Sequence, residues 1–291
     1  MDYLNWKYYL NTYPDLRLNG INTERDALQH WYNHGKTEGR RSHENIYISL
    51  TSIFQNQDIL MKTCESLINQ TLLPDKIFIY LSELPYLLDL GFKDKLISNN
   101  NLQTFLERHS NLINIKWVEN EGPYRKLLPL LKEKWNEECI IITVDDDTIY
   151  DKGLIKNMIN DYKIHNCVIN YRGFTPSCKN LNNFNYHKRD KLVNKHLYNF
   201  PTGKGGILYK PSFFYKTTNL IFNKDVYMHC CKTQDDIWFY LVRIKNNIYC
   251  YIDAKQYMSK DNSNKYALYT NYNSKNDSNT IALLNVLKNI F

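Results

Sequence analysis

The run Ile140-Ile141-Ile142-Thr143-Val144, followed at once by Asp145-Asp146-Asp147, constrains this chain more than any other stretch. A short, strongly β-branched run reads as a buried strand of a sheet covered on both faces. Three adjacent carboxylates repel one another and resist desolvation, so a fold that sets them at a sheet rim needs a compensating cation. Mg²⁺ or Mn²⁺ suits that position, because a hard ion takes oxygen ligands and can be shared with a substrate phosphate. The plain alternative is a solvated acidic turn ahead of a helix that begins near Lys152.

At 291 residues the chain can bury one large core, or a core with a small appendage. A hydrophobic content of 43% with 14% aromatics excludes a disordered polymer. The net charge of +7 is spread along the chain and suits phosphate-bearing or anionic partners. Nucleic-acid domains concentrate such charge on one face, so no nucleic-acid partner is expected. The seven cysteines are odd in number and lack a CxxC pair, and Cys139, Cys167 and Cys250 sit in apolar runs. That usage fits a reducing compartment without a disulfide framework. No apolar run approaches the roughly 18 residues that span a bilayer, and Met1-Asp2-Tyr3 lacks a basic-then-apolar leader. The expectation is a cytoplasmic chain with no transmembrane segment, leaving peripheral membrane contact open.

Residues 1–44 differ in character from the rest of the chain. Pro14 and Gly20 mark a turn, Gly35 and Gly39 a helix end, and Ala27, Leu28 and Trp31 recur at helical spacing behind Asn22 or Thr23 as N-cap. A small helical hairpin is expected. His30 and His34 lie one turn apart, but no Cys or carboxylate completes a zinc set, so packing or surface histidines are the better account. From Asn45 to the end, residues 45–291, strands and helices alternate. Strands are expected at Ile46–Ile53, Lys76–Leu81, Ile113–Val118 and Cys139–Val144. Helices are expected at Asp58–Ile68, Tyr124–Trp135 and Leu154–Tyr162. This order implies an α/β fold with a mostly parallel sheet, whose ligands bind beyond the carboxyl ends of the strands. Residues 175–200 are polar, Asn-rich and weakly patterned, and read as a long loop of a functional or mobile kind.

A second constellation lies downstream. Pro201-Thr202-Gly203-Lys204-Gly205-Gly206 permits a backbone that other residues cannot adopt and lets a ligand approach the main chain. A plain turn is the alternative, since the spacing is not that of a phosphate loop. In Thr233-Gln234-Asp235-Asp236-Ile237-Trp238 two carboxylates open an apolar helical segment, with Thr233 as N-cap. They are either simple partners of the helix dipole or a base held at a helix start.

These stretches, together with Ser66–Thr71 through Ser82-Glu83 and Glu121-Gly122-Pro123-Tyr124-Arg125-Lys126, resemble the GT-A glycosyltransferases, both the family-2 type and the fringe-like transferases. The resemblance runs from about Asn45 to Asp253. It implies a Rossmann-like GT-A fold, with the N-terminal helical module as a neighbour of unstated role. Within it Asp145 and Asp147 match the DxD motif, Asp147 binding the metal and Asp145 the metal or the donor ribose. Asp146, Glu83, Arg125 and Lys126 fall on the donor side, and Gly205 and Gly206 in the acceptor-side turn. Asp236 matches the inverting base, supported by Asp235. The implied partners are a nucleotide-diphosphate sugar and a glycan or other hydroxyl acceptor, with Mn²⁺ or Mg²⁺ as cofactor. Many relatives place a histidine metal ligand after the base, whereas the last histidine here is His229. The competing readings are nucleotidyl transfer, which also uses clustered Asp and metal ions, and an inactive sugar- or nucleic-acid-binding module.

Overall fold

The computed structural model describes residues 4–178, 180–262 and 264–291. Met1, Asp2 and Tyr3, read above for a leader, and Lys179 of the 175–200 stretch lie outside the described residues. The chain divides into two compact units, one ending at Ile46 and one spanning Tyr47–Phe291.

The first unit carries three short helices, α1 (Trp6–Thr12), α2 (Pro14–Leu18) and α3 (Glu24–His30), the last running into a π-helical turn at Trp31–Gly35. Pro14 has no N–H with which to continue α1 and instead opens α2, a position where that loss costs nothing. Thr23 caps α3 by accepting from the Asp26 amide at 3.2 Å. Leu4, Tyr9, Leu10, Leu16, Ala27 and Trp31 close a small core. His30 Nδ1 hydrogen-bonds with the Tyr9 hydroxyl at 2.9 Å, and the His34 ring lies 5.4 Å from that of His30.

In the second unit the strands are β1 (Asn45–Thr51), β2 (Lys76–Leu81), β3 (Ile113–Trp117), β4 (Cys139–Thr143), β5 (Thr148–Ile149), β6 (Val168–Asn170), β7 (Gly173–Pro176), β8 (Arg189–Asp190), β9 (Lys195–His196), β10 (Phe200–Pro201), β11 (Ile207–Tyr209), β12 (Cys250–Ile252) and β13 (Lys260–Asp261). The helices are α4 (Gln57–Ile68), α5 (Asn100–Arg108), α6 (Leu128–Glu133), α7 (Leu154–His165), α8 (Thr218–Ile221), α9 (Lys224–Cys231), α10 (Asp235–Lys245) and α11 (Ser278–Ile290). Eight strands form the central sheet in the order β3-β2-β1-β4-β11-β6-β12-β9, and helices flank it. It is the mostly parallel α/β sheet that the alternation implies, with β1, β2 and β3 parallel in sequence and β12 parallel to β6. The departures are β11, antiparallel to both β4 and β6, and the edge strand β9, antiparallel to β12. The chain reaches β11 through an irregular excursion from Tyr171 to Gly206 with no crossover helix, so it enters the sheet from the opposite end.

The expected strands fall where the alternation puts them, within a few residues. The helix expected over Tyr124–Trp135 is broken into a 3₁₀ turn at Gly122–Lys126 and α6. Pro129 is the cause: it has no N–H to give the turn before it. The 175–200 stretch is not featureless either, since it contains a 3₁₀ turn and the short strands β8 and β9. Among the described residues no helix is long and apolar enough to cross a membrane.

Candidate active site

Two buried elements aim the acidic residues at one place. Ile140, Ile141 and Ile142 of β4 are fully buried, each such burial contributing roughly 1.5–3 kcal/mol. That energy holds Asp145, Asp146 and Asp147 at the carboxyl end of the strand against their mutual repulsion. Helix α10 is buried all round, every residue from Ile237 to Ile244 including Arg243, so it lies inside the unit. Its first turn therefore brings Asp235 and Asp236 into the interior. Gln234, not Thr233, occupies the N-cap position. The Thr233 hydroxyl donates to Asn273 Oδ1 at 2.8 Å.

Lys126 joins the two acidic groups. Its ammonium lies 2.9 Å from Asp145 Oδ1 and 3.2 Å from Asp235 Oδ2. The second contact is an ion pair and not a directed hydrogen bond. Burial alone would lower the Lys126 pKa, but Asp145, Asp235 and Asp236 together outweigh it and hold the ammonium charged well above its usual range. Asp236 points its Oδ2 at the Gly203 amide, which donates at 3.1 Å. Burial, then the Asp235 carboxylate, push Asp236 up to about 7. Burial also raises Asp235, opposed by Lys126.

The three aspartates after β4 have separate partners. Asp145 receives Lys126, and its amide donates to the Tyr150 hydroxyl at 2.9 Å. Asp146 turns toward β1 and α4, accepting from the Ser52 hydroxyl and from Asn56 Nδ2 at 3.1 Å. Burial, then Asp147, push it up to about 7. Asp147 accepts from Asn264 Nδ2 at 3.0 Å, and its pKa is raised by burial and by Asp145.

All six of these side chains (Lys126, Asp145, Asp146, Asp147, Asp235 and Asp236) line a single cavity of about 630 Å³. Arg125 also borders it but is sealed in place. Its Nε donates to Gly122 O at 3.0 Å, Nη1 to Ser82 Oγ at 2.7 Å and Nη2 to Asp89 Oδ2 at 3.1 Å, with 2% of the residue exposed. Glu83 is exposed and not among the lining residues, because the chain after β2 turns away and packs its carbonyl under Gly91. Asp89 is the carboxylate that lines the cavity there. Gly205 and Gly206 are likewise not lining residues. A Cβ on Gly205 would fall 2.5 Å from the Arg172 nitrogen, and Gly206 has φ +69°, so both shape the turn. The glycine of this turn that reaches the cavity wall is Gly203.

Sequence reasoning did not find Asp89, Asn264, Arg172, Tyr186 or Arg189 as cavity residues. The polar run Asp261-Asn262-Ser263-Asn264 was the available signal for Asn264; the others carry none. His229 lies on α9 and is exposed.

Asp145 and Asp147 supply the hard oxygen donors that Mg²⁺ or Mn²⁺ takes, and the raised Asp147 pKa marks negative charge without full compensation. Among the described residues no group of three or more His, Cys, Asp or Glu is arranged to hold a metal ion. The donor set fits an ion only as a pair of carboxylates, with substrate phosphates and water completing its shell.

No protein-family model matches the chain, and no curated protein matches it. Among solved structures it is similar to residues 1–349 of Staphylococcus aureus TarS in complex with UDP-GlcNAc, at 12% identity and a TM-score of 0.47, covering 76% of this chain and 59% of that one. It is also similar to 4-diphosphocytidyl-2C-methyl-D-erythritol synthase from Anaerococcus prevotii, at 12% identity and a TM-score of 0.43, covering 72% and 88%. The chain thus spans about 60% of the TarS fragment it matches. With TM-scores below 0.5 these likenesses carry no functional assignment, which rests on the chain's own geometry.

Proposed function

We propose that this chain is a glycosyltransferase that moves a sugar from a nucleotide-diphosphate sugar to a hydroxyl acceptor with inversion. The observation that carries the reading is Lys126, whose one ammonium ties the strand-end carboxylates to the carboxylates that open α10. A donor-side acidic cluster and a carboxylate near neutral pKa thereby face one cavity.

In this reading Asp236 takes the proton of the acceptor hydroxyl as it attacks the anomeric carbon. A base poised near 7 suits that task at neutral pH. The Gly203 amide fixes which oxygen of Asp236 is free to do so. Asp235 and Lys126 position the base and keep the cluster from gathering unbalanced charge. A Mg²⁺ or Mn²⁺ bound by Asp145 and Asp147 would neutralise the departing diphosphate. One base and no covalent nucleophile imply a single displacement, hence inversion.

A screen of nucleotide sugars for donor hydrolysis, with Mn²⁺ present and absent, tests the reading. Turnover of at least one donor is expected, and nucleoside diphosphate should bind. If no nucleotide sugar is bound or hydrolysed, the reading fails. If a donor turns over with retained anomeric configuration by NMR, the assignment of Asp236 fails.

A further inference from the structure

The walls of the cavity differ in charge. Two cations line it from the excursion between β6 and β11. Arg172 follows β6, and its Nη1 donates to Thr202 Oγ1 at 2.9 Å. Arg189 lies on β8, with its guanidinium 4.2 Å from the centre of the Phe174 ring. Both residues are exposed and both line the cavity. Among the described residues neither has a carboxylate partner. Asp236 takes its hydrogen bond from Gly203 and not from either arginine, so they are not there to hold the base.

Their mountings are rigid although their heads are open. The Arg172 amide donates to Asn170 Oδ1 at 3.1 Å, its carbonyl accepts from the Thr202 amide at 2.9 Å, and Gly205 packs against its backbone. Arg189 is held by antiparallel pairing with Pro176. Tyr186 lines the same cavity, packed edge-on to Phe174 and Phe200. Asp236, Arg189 and Arg172 all act on its hydroxyl. A pair of guanidinium forks on fixed stems, beside an aromatic wall, is a receptor for an oxyanion.

We infer that the acceptor is anionic, bearing a phosphate or a carboxylate that Arg172 and Arg189 bind beside Asp236, an inference that rests on the transfer reading above. The donor diphosphate belongs by Asp145, Asp147 and Lys204. The arginines therefore hold the charged part of the acceptor while its hydroxyl reaches the base.

The test titrates the full chain at low salt, with UDP, ADP, GDP or CDP present in turn, against two matched pairs: glycerol 3-phosphate with glycerol, and glucuronate with glucose. The phosphate or the carboxylate compound should bind, its neutral partner should not, and whichever anion binds tells the two sources apart. The double variant Arg172→Ala/Arg189→Ala should weaken that anion by about tenfold or more, the scale of a lost charged hydrogen bond. Should the alanine variant melt early, Arg172→Lys/Arg189→Lys carries the test, keeping charge but losing the bidentate fork and weakening the anion severalfold. Equal binding of neutral and charged probes, or no binding of either anion, overturns the inference. An equal loss of nucleoside-diphosphate affinity in the variants assigns the arginines to the donor and overturns it while the transfer reading stands. Anion binding without any nucleotide binding or donor turnover sinks the transfer reading and, with it, the acceptor assignment.

Discussion

The Gly203 amide is bonded to Asp236 Oδ2 at 3.1 Å, and its α-carbon faces the other side of the cluster so closely that a Cβ there would fall 2.8 Å from Lys126 Nζ and 2.9 Å from Asp145 Oδ1. No positive φ is involved, so the backbone itself tolerates alanine. Gly203→Ala should therefore cost donor turnover, by about tenfold or more, through displacement of a buried ammonium. Its melting temperature should stay within a few degrees of the parent. Calorimetry and turnover on the same sample check this; a fully active variant would show that the Lys126 position is not needed.

Asp236→Asn should cut transfer by at least about 10²-fold, the scale of a positioned base, while nucleoside-diphosphate affinity barely moves. Asp235→Asn should be milder in rate. Because burial already disfavours charge on Asp235, and Lys126 keeps Asp145 as a partner, the variant's stability should be unchanged or slightly higher. Steady-state kinetics and urea melts on the two variants separate these effects. The reverse order in rate would exchange their roles.

The pH dependence follows from Asp236 at about 7 against an ordinary 3.8. A base acts only when deprotonated, so transfer should fall about tenfold per pH unit below about 7. Stability runs the other way. Between about 4 and about 7 the folded carboxyl keeps a proton that the unfolded one has lost, so stability declines as pH rises through that window. Asp146, also raised to about 7, adds to the same slope. A pH–rate profile with its acid limb near 4 would remove Asp236 as the base.

Asp147→Asn should abolish stimulation by Mn²⁺ while leaving the fold intact. Burial and Asp145 already disfavour charge at this carboxyl, and an amide oxygen can still accept from Asn264. The melting temperature at pH 8 should be unchanged or slightly higher. Equal Mn²⁺ response in parent and variant would end the metal role proposed for Asp147.

Much of this site was legible as contiguous chain. The isoleucine run of β4 and its three aspartates are neighbours in sequence, as are the two aspartates and apolar body of α10. Strand ends and helix starts are local features, so periodicity finds them. The bridge by Lys126 was not legible, because Lys126, Asp145 and Asp235 come from three separate segments and meet only in the folded unit. Arg125 illustrates the converse. Beside Lys126 it reads as a second ligand-binding cation, yet Asp89 and Ser82 consume its guanidinium. Adjacent residues of like charge point in different directions along a 3₁₀ turn, and only their partners tell them apart. Asn264 escaped notice for a similar reason, as one polar residue in a polar run.

The antiparallel placement of β11 has a consequence for how such a chain can vary. Ile207 pairs with Thr143, so the Gly203 turn that leads into β11 and the aspartates that follow β4 are set by one register. A slip of one residue would reverse every facing side chain and is strongly opposed. The excursion between β7 and β10 carries no part of that register. It is tied instead to the other pair of carboxylates: β9 pairs with β12, and the Tyr198 and Asn199 carbonyls accept from Tyr240 and Arg243 of α10, so a change of length there shifts the helix that carries Asp235 and Asp236.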